Sequence, residues 1–226
     1  MFNAEVKKTI LSVSKFTASW PGNFIDPLGV IHHLNSQGTR PPIVWVFNAA
    51  KEPESFAKAF GIDQPIIALR SLNMVAKQSS QRDALSKRLS FYYSSILSDF
   101  LPSSIALIGG NCQGAPFAMW MSGDLLRTGR SIGGVATIDA APAIDMDIPV
   151  LLNFGSELSE RNSLRKDKED AELQYASHYA SYQIARLPCG HGKYFNPENV
   201  GHLITNLKNF LSTVQAPKVL RNLYRS

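Results

Sequence analysis

The residues best suited to covalent chemistry lie in Gly110-Asn111-Cys112-Gln113-Gly114. The run follows an apolar stretch that reads as a strand (Ser104–Ile108). It leads into one that reads as a helix (Gln113–Thr128), ended by Gly129. Small residues two before and two after the central position suit a strand-to-helix turn where neighbouring backbone leaves no room for a Cβ. Such a turn is a nucleophile elbow, here with sulfur in place of the usual serine oxygen. The helix N-terminus behind Cys112 favours thiolate over thiol. The competing reading is a structural cysteine between two chance glycines, and the flanking strand and helix argue against it.

A thiol nucleophile needs a base, and the base needs an acid to orient it. Of the five histidines, His32 and His33 lie on an early edge strand before the nucleophile. His178 falls in a charged run and His202 on the polar side of the closing helix. His191 follows the last strand, in Pro188-Cys189-Gly190-His191-Gly192, where glycines let the loop lie beside the elbow. It is the candidate base. Two carboxylates compete for the acid: Asp139, at the end of a strand over Gly134–Ile138, and Glu157, after a strand over Ile148–Phe154. An oxyanion would be held by backbone N–H groups. One is that of Gln113, and the other is assigned to Ala49 in the loop Asn48-Ala49-Ala50-Lys51.

The elements that must position these residues alternate between strand and helix. Ile43–Phe47 and Pro65–Leu69 read as buried strands: short, apolar throughout and bounded by breakers. A weaker strand is expected over Gly29–Leu34, and a short helix over 53–60, stopped by Gly61. Over 81–100, Leu85, Leu89, Tyr92, Ile96 and Phe100 repeat with a helical period. Ser163–Tyr179 reads as a charged outer helix and Tyr182–Leu187 as the last strand. Val200, Leu203, Ile204, Leu207, Phe210 and Leu211 mark a closing helix. The expected fold class is α/β: a mostly parallel sheet covered by helices on both faces, with the chemistry beyond the carboxyl ends of its strands. Residues 1–28 read as a leader or edge segment, 29–214 as the domain and 215–226 as a basic tail.

Composition narrows the function. The 226 residues include 44% hydrophobic ones, enough for a core, and 23 basic against 18 acidic give a net charge of +5. That balance is too mild for a nucleic-acid surface and suits acidic partners weakly. No run approaches the roughly 18 apolar residues of a membrane span, so a cytoplasmic protein is expected. The two cysteines, Cys112 and Cys189, make neither a zinc set nor a disulfide framework; a single bridge between them would require an oxidising compartment. No metal or cofactor is called for.

On these residues the sequence resembles the thioesterase domains of non-ribosomal peptide and polyketide assembly lines, members of the α/β-hydrolase superfamily. The likeness runs from about Val30 to Leu211. It rests on Ile31–Gly38 before Pro41-Pro42, on Ser55–Leu69, on the elbow Ile108–Gly114, and on Leu125-Arg127-Gly129. It ends with Thr137-Ile138-Asp139 and Gly190-His191. The resemblance implies Cys112, His191 and Asp139 as the triad, because the family carries its acid after this earlier strand. It also implies release or transfer of an acyl or peptidyl group from a carrier protein, presented as a thioester on a phosphopantetheine arm.

Three departures stand out: cysteine for serine, no glycine-rich oxyanion loop, and only Ala140–Asp147 where the family inserts a helical lid. A lidless cysteine enzyme also resembles dienelactone hydrolase, in which Glu157 would be the acid. A degenerate hydrolase fold kept as a binding domain is the non-enzymatic alternative.

Overall fold

The computed structural model describes residues 4–75, 82–156 and 175–214. Its framework is an eight-stranded sheet in the order β1-β2-β4-β3-β6-β8-β9-β10. The strands are β1 (Asn23–Phe24), β2 (His32–Leu34), β3 (Ile43–Phe47), β4 (Ile66–Arg70), β6 (Leu107–Asn111), β8 (Val135–Ile138), β9 (Val150–Gly155) and β10 (Tyr182–Leu187). From β4 to β10 every pairing is parallel, whereas β1 and β2 add an antiparallel edge. Every residue of β3, β4, β6, β8 and β9 is buried, as expected for strands covered on both faces.

The period-2 alternation of side chains divides the core. Trp45 and Phe47 face helices α2 (Glu52–Phe60) and α5 (Val200–Val214), meeting Phe56 and Phe210. Val44 and Val46 face α1 (Ala4–Thr17), α3 (Arg82–Phe100) and α4 (Ala115–Arg127). The parallel order and the two helical layers are those expected from the sequence.

Several elements differ from expectation, each for a physical reason. The strand expected over Gly29–Leu34 is confined to His32–Leu34, because the Asp26 carboxylate takes the N–H groups of Leu28, Val30 and Ile31 at 2.7–3.0 Å. The expected strand Ser104–Ile108 splits. Ser104–Ile105 (β5) pairs with Ser131–Ile132 (β7) in a separate ribbon, while β6 continues through Gly109 and Gly110. It can do so because the Trp45 ring occupies the space a Gly109 Cβ would need, 2.3 Å away.

On α3 the buried stripe is turned from the one expected. Ser86, Ser90, Tyr93, Ser94 and Leu97 join Leu89 and Tyr92 inside, and Phe100 is exposed. Small serines let α3 approach α4 closely, with the Ser94 hydroxyl 3.2 Å from Asp124 Oδ2. The leader holds an unexpected helix, α1, which buries Val6, Ile10, Val13 and Thr17 at helical spacing. Of the expected outer helix, Tyr175–His178 are helical, while 163–174 lie outside the described residues, as does the tail 215–226. The connection between β8 and β9 contains no helix, in keeping with the expected absence of a lid there. No described helix is long and apolar enough to cross a membrane.

Candidate active site

The elbow takes its shape from backbone crowding. β6 ends extended at Asn111 (φ −107°, ψ 139°), and Cys112 then turns left-handed at φ +46°. A 3₁₀ turn over Cys112–Gly114 leads into α4. A non-glycine residue held left-handed costs on the order of 1–3 kcal/mol and persists only where its surroundings impose it. Here they do. A Cβ on Gly110 would lie 2.5 Å from the Gly114 carbonyl, and one on Gly114 would lie 2.3 Å from the Val46 oxygen of β3. Cys112 stands half-exposed at the end of this turn, and no disulfide joins it to buried Cys189.

Asp139, immediately after β8, is also left-handed at φ +47°. Its Oδ1 accepts the Gly155 N–H at 3.1 Å, and its Oδ2 lies 3.0 Å from His191 Nδ1. A carboxylate only accepts, so Nδ1 carries the proton and Nε2 is left able to take one. The Asp139 side chain is 1% exposed and that of His191 17%, an acid shielded from water behind a base that reaches it. Glu157, the competing acid, lies outside the described residues.

A further residue belongs to this group. The buried Tyr194 hydroxyl donates to Asp139 Oδ2 and lies 3.1 Å from His191 Nδ1. Burial first, then the bond to Asp139, raise its pKa far above the ordinary value, with a further increment from nearby Cys112. It therefore stays a protonated donor. Sequence reasoning missed it, and its one signal was an aromatic three residues after His191.

Among the described residues, none of the other histidines is bonded to an acid at the elbow. His32 is fully buried and its Nδ1–H donates to Pro21 at 3.2 Å, while His33 packs edge-on against Phe100. Burial lowers the pKa of both. His178 lies 2.6 Å from Asp145, and His202 is exposed on α5.

The oxyanion side departs from expectation. The backbone N–H of Ala49 does not stand ready for a substrate, because it donates to Glu52 Oε2 at 3.1 Å. The same oxygen accepts the Asn48 N–H at 2.7 Å, and Glu52 Oε1 accepts Asn111 Nδ2 at 3.3 Å. Burial raises the Glu52 pKa, and the bonds from Asn48, Ala49 and Asn111, with the charge of Arg70, act against that rise. Asn48 Nδ2 in turn bonds the Asn111 carbonyl at 2.7 Å, tying this loop to the elbow. On the elbow itself, the Gln113 side chain accepts a hydrogen bond from Arg82. A cleft of about 400 Å³ runs past Ala49, Glu52, Ser55, Gly192 and Phe195, between the β3–α2 loop and the loop that carries His191. Among the described residues no three His, Cys, Asp or Glu side chains are grouped to hold a metal ion.

A parallel sheet with an antiparallel edge, a left-handed Cys112 at the turn after β6, and an Asp–His pair from the ends of β8 and β10 define an α/β-hydrolase fold. Known structures agree. The chain is similar to the NocB thioesterase domain from the nocardicin cluster, at a TM-score of 0.66 and 14% identity, covering 81% of this chain and 99% of that one. It is similar to SrfTE, the thioesterase domain that cyclises the lipopeptide antibiotic surfactin (TM-score 0.59, 10% identity, 82% and 97% covered). It is also similar to YahD, solved with malic acid (TM-score 0.52, 13% identity, 82% and 98% covered). No family model matches the sequence, and no curated protein does.

Proposed function

We propose that the chain is a thioesterase-type α/β-hydrolase that releases or transfers an acyl or peptidyl group from a carrier-protein thioester through an acyl-Cys112 intermediate. The observation that carries this reading is the left-handed Cys112 at a glycine-flanked elbow, in the same site as a buried Asp139 bonded to His191. The fold shared with two thioesterase domains of natural-product synthesis supports the substrate class.

In the proposed reaction His191 Nε2 takes the Cys112 proton and the thiolate attacks the thioester carbonyl. The tetrahedral oxyanion forms beside the N–H groups of Gln113 and the β3–α2 loop, where fixed donors lower its energy. Its collapse expels the pantetheine thiolate, which takes the proton back from His191. An acceptor (water, hydroxyl or amine) then loses its proton to His191 and attacks the acyl-cysteine, freeing the thiol. Asp139 holds the imidazole in the required tautomer and stabilises its cation. Tyr194 fixes Asp139. The reaction draws on no metal or cofactor belonging to the protein. An acyl-cysteine is itself a thioester, so it keeps the acyl group activated for transfer in a way that an acyl-serine ester does not.

A carrier protein is the proposed partner, because its acidic surface suits a chain of net charge +5. An acyl group on a carrier protein should therefore react faster than the same group on a truncated pantetheine thioester, with the advantage shrinking as salt rises. Equal rate constants unaffected by salt would overturn the carrier assignment and favour a small-molecule hydrolase of the dienelactone hydrolase kind.

A further inference from the structure

Glu52 is the first residue of α2, and a glutamate there ordinarily serves its own helix, where negative charge complements the N-terminal dipole. This one reaches backwards instead. Its Oε2 accepts the N–H groups of Asn48 and Ala49, at the end of β3, and its Oε1 accepts Asn111 Nδ2, from the residue before the nucleophile. In this fold the loop after β3 supplies one of the two oxyanion donors. Glu52 also lines the cleft alongside Ala49 and Gly192. A carboxylate thus stands on the donors a reacting carbonyl oxygen would need.

We propose that Glu52 is an internal occupant of the oxyanion site, and that an acyl group reaches the donors of the β3–α2 loop only by displacing it. The inference rests on the thioesterase-type reading above and adds a control on that site. With three donors already on its two oxygens, the carboxylate is poorly placed to act as a general base, so occupancy is the role that fits its bonds. A neutral thioester carbonyl accepts hydrogen bonds more weakly than a carboxylate and competes poorly for these donors. The tetrahedral oxyanion carries a full charge and competes on even terms. Occupancy therefore opposes casual binding of small thioesters and favours a substrate held by additional contacts elsewhere. Buried Arg70, whose Nε and Nη1 have no hydrogen-bond partner among the described residues, lies within electrostatic reach of Glu52 and offers the displaced carboxylate an opposite charge.

The test compares two reactions of Cys112 in the full chain. Acylation by an acyl-pantetheine thioester passes through an oxyanion, whereas alkylation by iodoacetamide does not. Glu52→Ala should speed acylation about tenfold or more, the scale of one charge-assisted hydrogen bond, while alkylation changes less than about twofold. Glu52→Gln, whose neutral amide oxygen still accepts, should fall between the two. Added acetate should refill the seat in Glu52→Ala and slow its acylation towards the wild-type rate, leaving the wild type unaffected. Acylation that is unchanged or slower in Glu52→Ala overturns the proposal and makes Glu52 a brace for the loop. If the alanine variant does not fold, the same result in Glu52→Gln decides. A Cys112 no more reactive to iodoacetamide than Cys189 in the wild type removes the proposed function itself, and the role of Glu52 with it.

Discussion

The two halves of the site are built in opposite ways. On the Cys112 side, the groups assigned to the proposed reaction are held in place: Cys112 on a glycine-flanked turn, His191 bonded to Asp139, and Tyr194 behind them. On the β3–α2 side, the donors are engaged by the protein's own Glu52. The first half is fixed by backbone geometry and buried hydrogen bonds, while in the second the loop is tied to the elbow through Asn48 and its N–H groups are taken up by one side chain, which the proposal above has the substrate displace. The difference suggests that reactivity here is limited by access to the oxyanion donors rather than by preparation of the nucleophile.

Substitutions at the acid bear hardest on this contrast. Asp139→Asn should lower the rate of Cys112 acylation by about 10²–10⁴-fold, because it loses both the tautomer and the stabilised imidazolium. Tyr194→Phe keeps Asp139 and His191 in place and should cost about tenfold or less. A small effect of Asp139→Asn, measured in single-turnover acylation, would break the triad half and move the acid to Glu157. It would also move the resemblance towards dienelactone hydrolase.

The joint between the halves is Gly114, whose Cα faces the Val46 carbonyl of β3. Gly114→Ala would set a Cβ 2.3 Å from that oxygen, and backbone on both sides leaves little room to adjust. The expected loss is about 1–3 kcal/mol of stability by denaturant melts, with acylation impaired because the elbow and the oxyanion loop are pushed apart. An alanine variant as stable and as active as the wild type would mean that the two halves are not coupled through this contact.

The smallest effect sharpens a different comparison, between His191, the proposed base, and two histidines held in the fold. Burial lowers the pKa of His32 and His33 below the ordinary 6.5, so the unfolded chain binds protons near pH 6.5 that the folded chain refuses. Their contribution is complete above that value and is lost as pH falls through 6.5 towards the lower folded values. Melting temperature should therefore drop on acidification below about pH 6.5, and drop less in His33→Gln. A profile unchanged by that substitution would show that His33 titrates freely in the folded protein.

Sequence and structure agree where backbone leaves few choices. Apolar runs such as Ile43–Phe47 can only be buried strands, and the Gly110 and Gly114 spacing states the clash that the structure then displays. The Asp139–His191 contact was legible in part: strand ends in a parallel sheet converge, but Glu157 follows a strand as well, and the preference for Asp139 came from the family resemblance. What was missed depends on side-chain reach. Glu52, just ahead of the helix expected over 53–60, was not singled out, and nothing in its spacing says that it turns back to Asn48 and Asn111. Tyr194 lay in a loop without periodicity. The buried serines of α3 had no place in the expected stripe of Leu85, Leu89, Tyr92, Ile96 and Phe100, because hydropathy does not register how small residues let helices approach. The helix α1 went unread because its buried residues are spaced among lysines and serines.

The central claim, a covalent acyl-cysteine, is tested most directly by intact-protein mass spectrometry after incubation with an acyl thioester on a carrier protein. The account predicts a mass increase equal to the acyl group, mapped by peptide analysis to Cys112, absent in Cys112→Ala, and lost on adding hydroxylamine. Turnover that persists in Cys112→Ala, or an adduct that maps to Cys189 instead, would contradict it.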